Sequence, residues 1–563
     1  MKYIITLHII FSTSVLLAQF PSFEIGGLSR SLSSISALDA EDTINKDIDQ
    51  ELNIIFDLAV NAELNGKVNF YSELRLGSSL EVFDTSASYI NIRRILLFGH
   101  ISKHVKFEVG DIDVKMSPFT LWNNEEEGVT IENNLFSTYR EIQRYENFNV
   151  ENNWRRQGAK LNGTNKLSSK DSIYSQFFIS REQASNEISI PDRFLYGESL
   201  DFVRPRFSIG VHHVDLFTFN RGIQQEFNLH NHVYSLHSTY RRNKIILSSE
   251  IGQSSRTLVN SDNKPWLNGQ FLNLNLNYKY ANNSYVELNY RRVTDDFSSP
   301  GSQTKRIDFS SSPILFSAVN NNISPRDILI SDLVNDITFF RQNSIYNRTI
   351  DYDLDQFNPL FGLTQPYGIS TPNRQGFDLD FFYKDSVDII NFLVGSSYLT
   401  DLTGEGTENL RSYIQFRFEA KLSINKLANL NRQITVHAGL KSDRVNRSHP
   451  EELFVENVNV NSTLLDAGTE LELFKKFKFL IAYKKLGVNG MDYLGVRNED
   501  FSVSSFELFD VDSEQDILSA GFSYDFNKKT TFLINFQRIG YENMLNLKSF
   551  SFNQFFALLQ LKF

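Results

Sequence analysis

The chain has 563 residues, a net charge of -11 and a mean hydropathy of -0.30, with no Cys. The missing Cys excludes disulfides, thiolate metal sites, a cysteine nucleophile and a lipidated N-terminal Cys, and the acidic balance argues against a nucleic-acid partner. Phe and Tyr number 49 and 23 against 3 Trp, which suits strands that face an apolar medium or sit where membrane meets water. The soluble-looking hydropathy does not count against a membrane barrel, because half of each strand then faces water in the lumen.

Residues 1–18 read as a secretory signal peptide. Lys2 supplies the positive start, Ile4 to Leu17 the apolar stretch and Ala18 a small residue before the cut. The run is shorter than the ~20 residues that a membrane-spanning helix needs, so Gln19 is the expected mature start. A weak strand is expected near Ser22–Arg30 (SFEIGGLSR).

From Ile54 the apolar residues follow a period of two. Ile54, Phe56, Leu58, Val60 and Ala62 alternate with polar positions, Asn65-Gly66 turns the chain, and Val68, Phe70, Leu74 and Leu76 alternate with Asn69, Glu73 and Arg75. Such alternation gives a strand one apolar and one polar face. The pattern returns in 232–241 with 244–252, in Leu272 to Tyr280 with Val286 to Tyr290, in 463–474 with 477–486, and in 515–526 with 530–540. Strands of ~9–11 residues suit a tilted β-crossing of a membrane.

The stretch Tyr89 to Leu121, YINIRRILLFGHISKHVKFEVGDIDVKMSPFTL, has an Arg-Arg strand, a turn after Gly, an alternating strand ending in Gly110-Asp111, and then Pro118-Phe119. In these features it resembles the early hairpin of phosphate-selective porins. The resemblance implies a porin-like barrel with basic residues at a constriction. The acidic balance and the long segment at 295–375 depart from that family, so phosphate specificity is not carried over.

The connections are unequal. Short turns alternate with long polar segments near 113–156, 183–202, 253–269, 295–375, 442–462 and 487–514. Outer-membrane barrels have short periplasmic turns and long extracellular loops, and with both termini in the periplasm their strand number is even. Twenty-one candidate segments from Glu51 onward, with the weak one at Ser22–Arg30, make 22 strands. The weaker candidates at 157–163, 203–211 and 214–223 set a range of about 18–22. The last strand ends the count: Phe555, Ala557, Leu559, Leu561 and Phe563 share one face. A terminal aromatic residue on such a strand resembles the signal read by the barrel-assembly machinery, which places Phe555, Leu559, Leu561 and Phe563 in that role.

Motifs for catalysis are absent: there is no H-E-x-x-H, G-x-S-x-G, P-loop or dinucleotide fingerprint. No enzyme and no cofactor are expected. Among the histidines, this reading puts His212-His213 in a periplasmic turn and His230 and His232 at the outer rim, a membrane apart, so no metal site is expected. Asp351, Asp353 and Asp355 lack the Gly and Glu of a calcium loop at the sixth and twelfth positions. They read as a solvated acidic face, as do Glu125 to Glu127. In the pairs Arg93-Arg94, Arg241-Arg242 and Arg291-Arg292, alternation sends one member inward and one toward lipid or the rim. The lumen-lining candidates are Arg75, Glu73, Lys106, Glu108, Lys279, Glu287 and Arg291, with Glu63 also inward, and mutual ion pairing is the default role.

The sequence therefore predicts an all-β, transmembrane antiparallel barrel in the outer membrane: 1–18 signal peptide, 19–563 barrel. The expected function is a passive channel for small polar solutes, with the 295–375 loop folded inward as a constriction through its apolar stretches Ile314 to Val319 and Ile328 to Leu333. The alternative is a non-conducting component that docks a surface partner through its long loops. A plug-bearing nutrient receptor fits less well, since only about thirty residues precede the first strong strand. Expected partners are outer-membrane lipid, the assembly machinery and small polar solutes, with a second copy or a surface protein as further candidates.

Overall fold

The computed structural model describes residues 22–40, 47–64, 66–81, 87–122, 131, 133–146, 152–183, 192–219, 228–259, 265–281, 283–303, 364–365, 368–404, 407–448, 457–497, 503–545 and 547–563. The signal-peptide reading, both apolar stretches of the 295–375 loop, Asp351 to Asp355 and Glu125 to Glu127 lie outside these residues.

The first strands are β1 (Ser22–Ala40), β2 (Asp47–Glu63), β3 (Val68–Glu81), β4 (Ala87–Ser102) and β5 (Val105–Val114). A helix, α1 (Asn134–Glu146), precedes β6 (Trp154–Lys166), β7 (Ser172–Gln183), β8 (Asp192–Val203), β9 (Phe207–Phe219), β10 (Asn228–Arg242) and β11 (Ile245–Val259). Then come β12 (Pro265–Ala281), β13 (Ser284–Val293), β14 (Arg374–Lys384), β15 (Ile390–Thr400) and β16 (Ser412–Ser423). A single helical turn, α2 (Ile424–Leu427), leads to β17 (Ile434–Arg447), β18 (Val458–Phe474), β19 (Phe477–Arg497), β20 (Val503–Asn527), β21 (Thr530–Asn543) and β22 (Lys548–Lys562).

All 22 strands belong to one sheet. Neighbours in sequence pair antiparallel, and β1 pairs with β22 from Leu28↔Lys562 to Ala40↔Phe550 as well as with β2. The sheet is therefore closed, and no edge is left to pair with another chain. The C-terminus completes the seam: Phe563 and Gly27 exchange backbone bonds of 3.1 and 3.2 Å, and the Phe563 ring stacks on Phe56. Gly27 sits at a φ of 156°, where a Cβ would lie 2.0 Å from the Asp57 carbonyl oxygen. Only glycine tolerates that approach.

Alternation sorts the two faces. Leu247, Leu276, Leu379, Phe416, Ile481, Phe522 and Phe536 are exposed on the outer wall, as are Phe555, Leu559, Leu561 and Phe563. The intervening positions carry charge, amide and hydroxyl groups into the interior. A backbone satisfied strand to strand, inside an apolar belt, is the β solution for crossing lipid. The chain is an outer-membrane barrel.

The ends are unequal, with corrections to the expected loops. The start of β1, the C-terminus and the short turns lie at one end, which is periplasmic by the rule for such barrels. At the other end only 115–153 and 294–373 are long. The segments expected at 253–269, 442–462 and 487–514 are mostly strand, because hairpins continue beyond the belt; β20 has 25 residues. The expected loop at 183–202 is largely β8, and the expected strands 203–211 and 214–223 are one strand, β9. The physical cause is polar residues on the outer face: Glu198 in β8, and His213 and Asp215 in β9, interrupt the apolar period. The two shifts compensate, so the count of 22 stands.

Candidate functional site in the lumen

The described parts of the connection from β5 to β6, residues 115–122, 131 and 133–146, lie inside the barrel against different parts of its wall. A tight turn begins it, with Ser117 N–H donating to Thr120 Oγ1 (3.1 Å) and Met116 N–H to the Leu121 carbonyl (2.9 Å). Phe119 is driven against the wall, stacked on Phe271 with ring centroids 4.2 Å apart, in a cluster with Val233, Val293 and Phe297. Across the lumen, Ile131 reaches β16 and Asn134 reaches β18. There α1 begins, capped by Asn133, whose Oδ1 accepts from Leu135 N–H at 2.9 Å. Leu135, Phe136 and Ile142 of α1 are buried against an apolar stretch of inner wall that includes Leu480, Leu533 and Phe556. At its far end Tyr145 reaches β2 to β4.

Four carboxylates of the wall anchor the described parts of this segment. Ser117 Oγ donates to Glu250 (2.6 Å), Ile131 N–H to Glu419 (2.9 Å), Asn134 N–H and Nδ2 to Glu470 (3.1 and 3.0 Å), and Tyr145 Oη to Asp57 (2.5 Å). Glu470 also stands at the N-terminus of α1, where negative charge favours the helix dipole. Burial raises the Tyr145 hydroxyl well above the usual tyrosine range, with Arg93 opposing, so it stays a neutral donor.

Asp57 is the most heavily used of these anchors. It also accepts from Arg75 Nε and Nη2 (2.7 and 2.8 Å) and from Arg93 Nη1 (2.7 Å). Arg93 Nε lies 3.1 Å from Glu73, and its guanidinium covers the Tyr145 ring at 4.2 Å. Two arginines therefore balance two carboxylates, as buried charge requires. The Arg93-Arg94 pair departs from the expected alternation. Register passes from Glu73↔Arg94 to Leu74↔Ile92, a bulge that leaves Arg93 extra. Both arginines then point inward, Arg94 to Asp113 at 2.7 Å.

The remaining lumen candidates fall as follows. Glu108 pairs with Lys160 (2.7 Å), and Glu287 accepts from Asn275 and Asn277 (2.6 and 3.1 Å). Arg291 is buried and paired with Asp378 at 3.1 Å, while Arg292 is exposed on the outer face, as alternation expects. Lys106 and Lys279 are exposed near the turn end, as are Arg241, Arg242 and Glu63. Sequence reasoning missed Asp57, Glu250, Glu419 and Glu470, which are scattered across the chain. It also missed the buried pairs Arg155 with Asp111, Arg156 with Glu182, and Arg374 with Asp401.

The described ends of the 294–373 connection line the wall beside the crossing segment. Trp122 N–H and Trp154 Nε1 both donate to the Gly301 carbonyl at 2.9 Å, and Ser299 Oγ donates to the Thr120 carbonyl. Gln303 Nε2 ties this end to Ser370 at 2.9 Å. Among the described residues, 115–122 and 133–146, which the sequence placed outside, are the ones that reach from wall to wall of the interior.

The histidines also need correction. His212-His213 lie in mid-strand β9, beside β10, not in a turn. Alternation sends His213 outward with His232, Tyr234, Glu198 and Asp215: His232 Nδ1 is 3.2 Å from Asp215, and His213 Nδ1 is 3.3 Å from Glu198. His212 and His237 face inward, with ring centroids 4.3 Å apart.

No protein-family model matches the chain, and no curated protein matches it; the likeness to phosphate-selective porins thus finds no family support. Similar solved structures include the P pilus usher (PapC) translocation pore, at 9% identity and a TM-score of 0.36 over 95% of this chain and 99% of that one. Others are OccK5 (OpdH) of Pseudomonas aeruginosa, at 10% identity and 0.34 over 96% and 98%, and OccAB4 of Acinetobacter baumannii, at 10% and 0.32 over 97% and 100%.

Proposed function

We propose that this barrel is a channel for passive diffusion of small polar solutes, constricted by the segment 115–146. The observation that carries the reading is that segment's span between Glu250, Glu419, Glu470 and Asp57, which divides a polar lumen instead of capping it. The ends of the 294–373 connection brace it. Because the buried arginines are paired, charge selectivity falls to the exposed inward groups, such as Lys106 and Lys279.

A second reading, a non-conducting binding component, is favoured by the apolar inner wall buried around α1. Planar-bilayer recordings separate the two. Purified barrel is expected to give small, steady single-channel steps, and a variant with 123–146 replaced by a short Gly-Ser link should give steps several-fold larger. Steps from the variant alone would favour the second reading. Silence from both, with folding verified by heat-modifiable migration, would sink the channel.

A further inference from the structure

Three strands bring two imidazoles and a carboxylate together on the inner wall, beneath the crossing segment. Asp201 on β8 and His237 on β10 are both register partners of Gly210 on β9. A Cβ at position 210 would lie 2.2 Å from Asp201 Oδ1 and 2.6 Å from His237 Cε1. Because that position is glycine, the two groups meet over bare backbone, with Nε2 and Oδ1 2.7 Å apart. His212 lies two residues further along the same face. One ligand atom from each of the three lies within 4.8 Å of the other two.

The plain alternative is an aspartate that orients a histidine. Two features go beyond it. A second imidazole, His212, stacks on His237 with ring centroids 4.3 Å apart, which an aspartate that only orients a histidine does not need. The three side chains are also 10–25% exposed, so the cluster stays open to lumen water.

We propose that Asp201, His212 and His237 bind a divalent cation of the zinc class. Two imidazole nitrogens and one carboxylate oxygen suit such an ion, with a fourth position left for water. Calcium and magnesium would ask for more oxygens than the cluster offers. Tetrahedral zinc separates its ligand atoms by roughly 3.3 Å, so the tight Asp201–His237 contact opens slightly while His212 closes in. Glu250 faces His237 across the β10–β11 ladder, lies 4.0 Å from His212 Nδ1, and holds Ser117. The cation therefore sits one carboxylate away from an anchor of the crossing segment.

The test is titration of the folded, detergent-solubilised barrel with Zn²⁺ near neutral pH, in competition with a chromophoric chelator. One equivalent is expected to bind, at least about tenfold more weakly in His237→Ala and in Asp201→Asn. The outer-face variant His230→Ala/His232→Ala should bind as wild type does. Co²⁺ should give the intense visible bands of a tetrahedral site, lost in His212→Ala/His237→Ala. No binding by wild type, or equal binding by wild type and His212→Ala/His237→Ala, overturns the proposal. Circular dichroism of each variant verifies that the barrel is intact.

Discussion

Two inward aspartates on the same barrel wall are used in opposite ways. Asp57 is fully buried and accepts four hydrogen bonds, from Arg75, Arg93 and Tyr145, so its lone pairs are spent within the protein. Among the described residues Asp201 accepts one, from His237, and remains partly exposed. A carboxylate saturated by protein donors joins strands and helix into one body. A carboxylate with lone pairs to spare, beside two imidazoles, has capacity for a ligand. The difference comes from the neighbouring strands: β3 and β4 present arginines to Asp57, while β9 presents only the bare backbone of Gly210 to Asp201.

The largest effect should follow from emptying the saturated site. Asp57→Ala strands two buried guanidiniums and should cost about 3–5 kcal/mol in urea unfolding from lipid vesicles. A loss below about 1 kcal/mol would mean that the arginines find other partners and that the contrast fails. Tyr145→Phe removes one charge-assisted bond and should cost about 1.5–2 kcal/mol. Its folded-state pKa is raised, so that contribution is complete below the ordinary tyrosine value of about 10 and fades as pH rises beyond it. Unfolding curves of both proteins from neutral to alkaline pH would check the sign; a difference that grew with pH would refute it. The smallest effect belongs to the open site: Asp201→Asn keeps an acceptor for His237 and should shift stability by less than about 1 kcal/mol. A larger loss would make Asp201 a structural residue like Asp57.

Legibility in the sequence followed the regularity of the outer face. The hairpins around Asn65-Gly66 and from Leu272 to Tyr290 alternate cleanly and were readable residue by residue. Parity, counted back from Phe563, even exposed β1, which has few large apolar residues. The strands β8 and β9 were displaced because Glu198, His213 and Asp215 put polar groups on the outer wall. Alternation splits the Arg93-Arg94 pair between the two faces, whereas both point inward, because a bulge adds a residue without leaving a composition signal. The crossing segment was read as external because a polar stretch looks the same in solvent as in a polar lumen. Its anchors lie at positions 57, 250, 419 and 470, and nothing local links them.

By itself the sequence determined a closed outer-membrane barrel of about 18–22 strands, with 22 as the best count. A period of two assigns side chains to faces wherever the strand is regular, and parity makes the number of crossings even. It did not determine which residues share a level inside the barrel. That depends on the stagger between strands and on single-residue bulges, so only the tertiary structure could bring Asp201 and His237 together over Gly210 and carry 115–146 across the lumen.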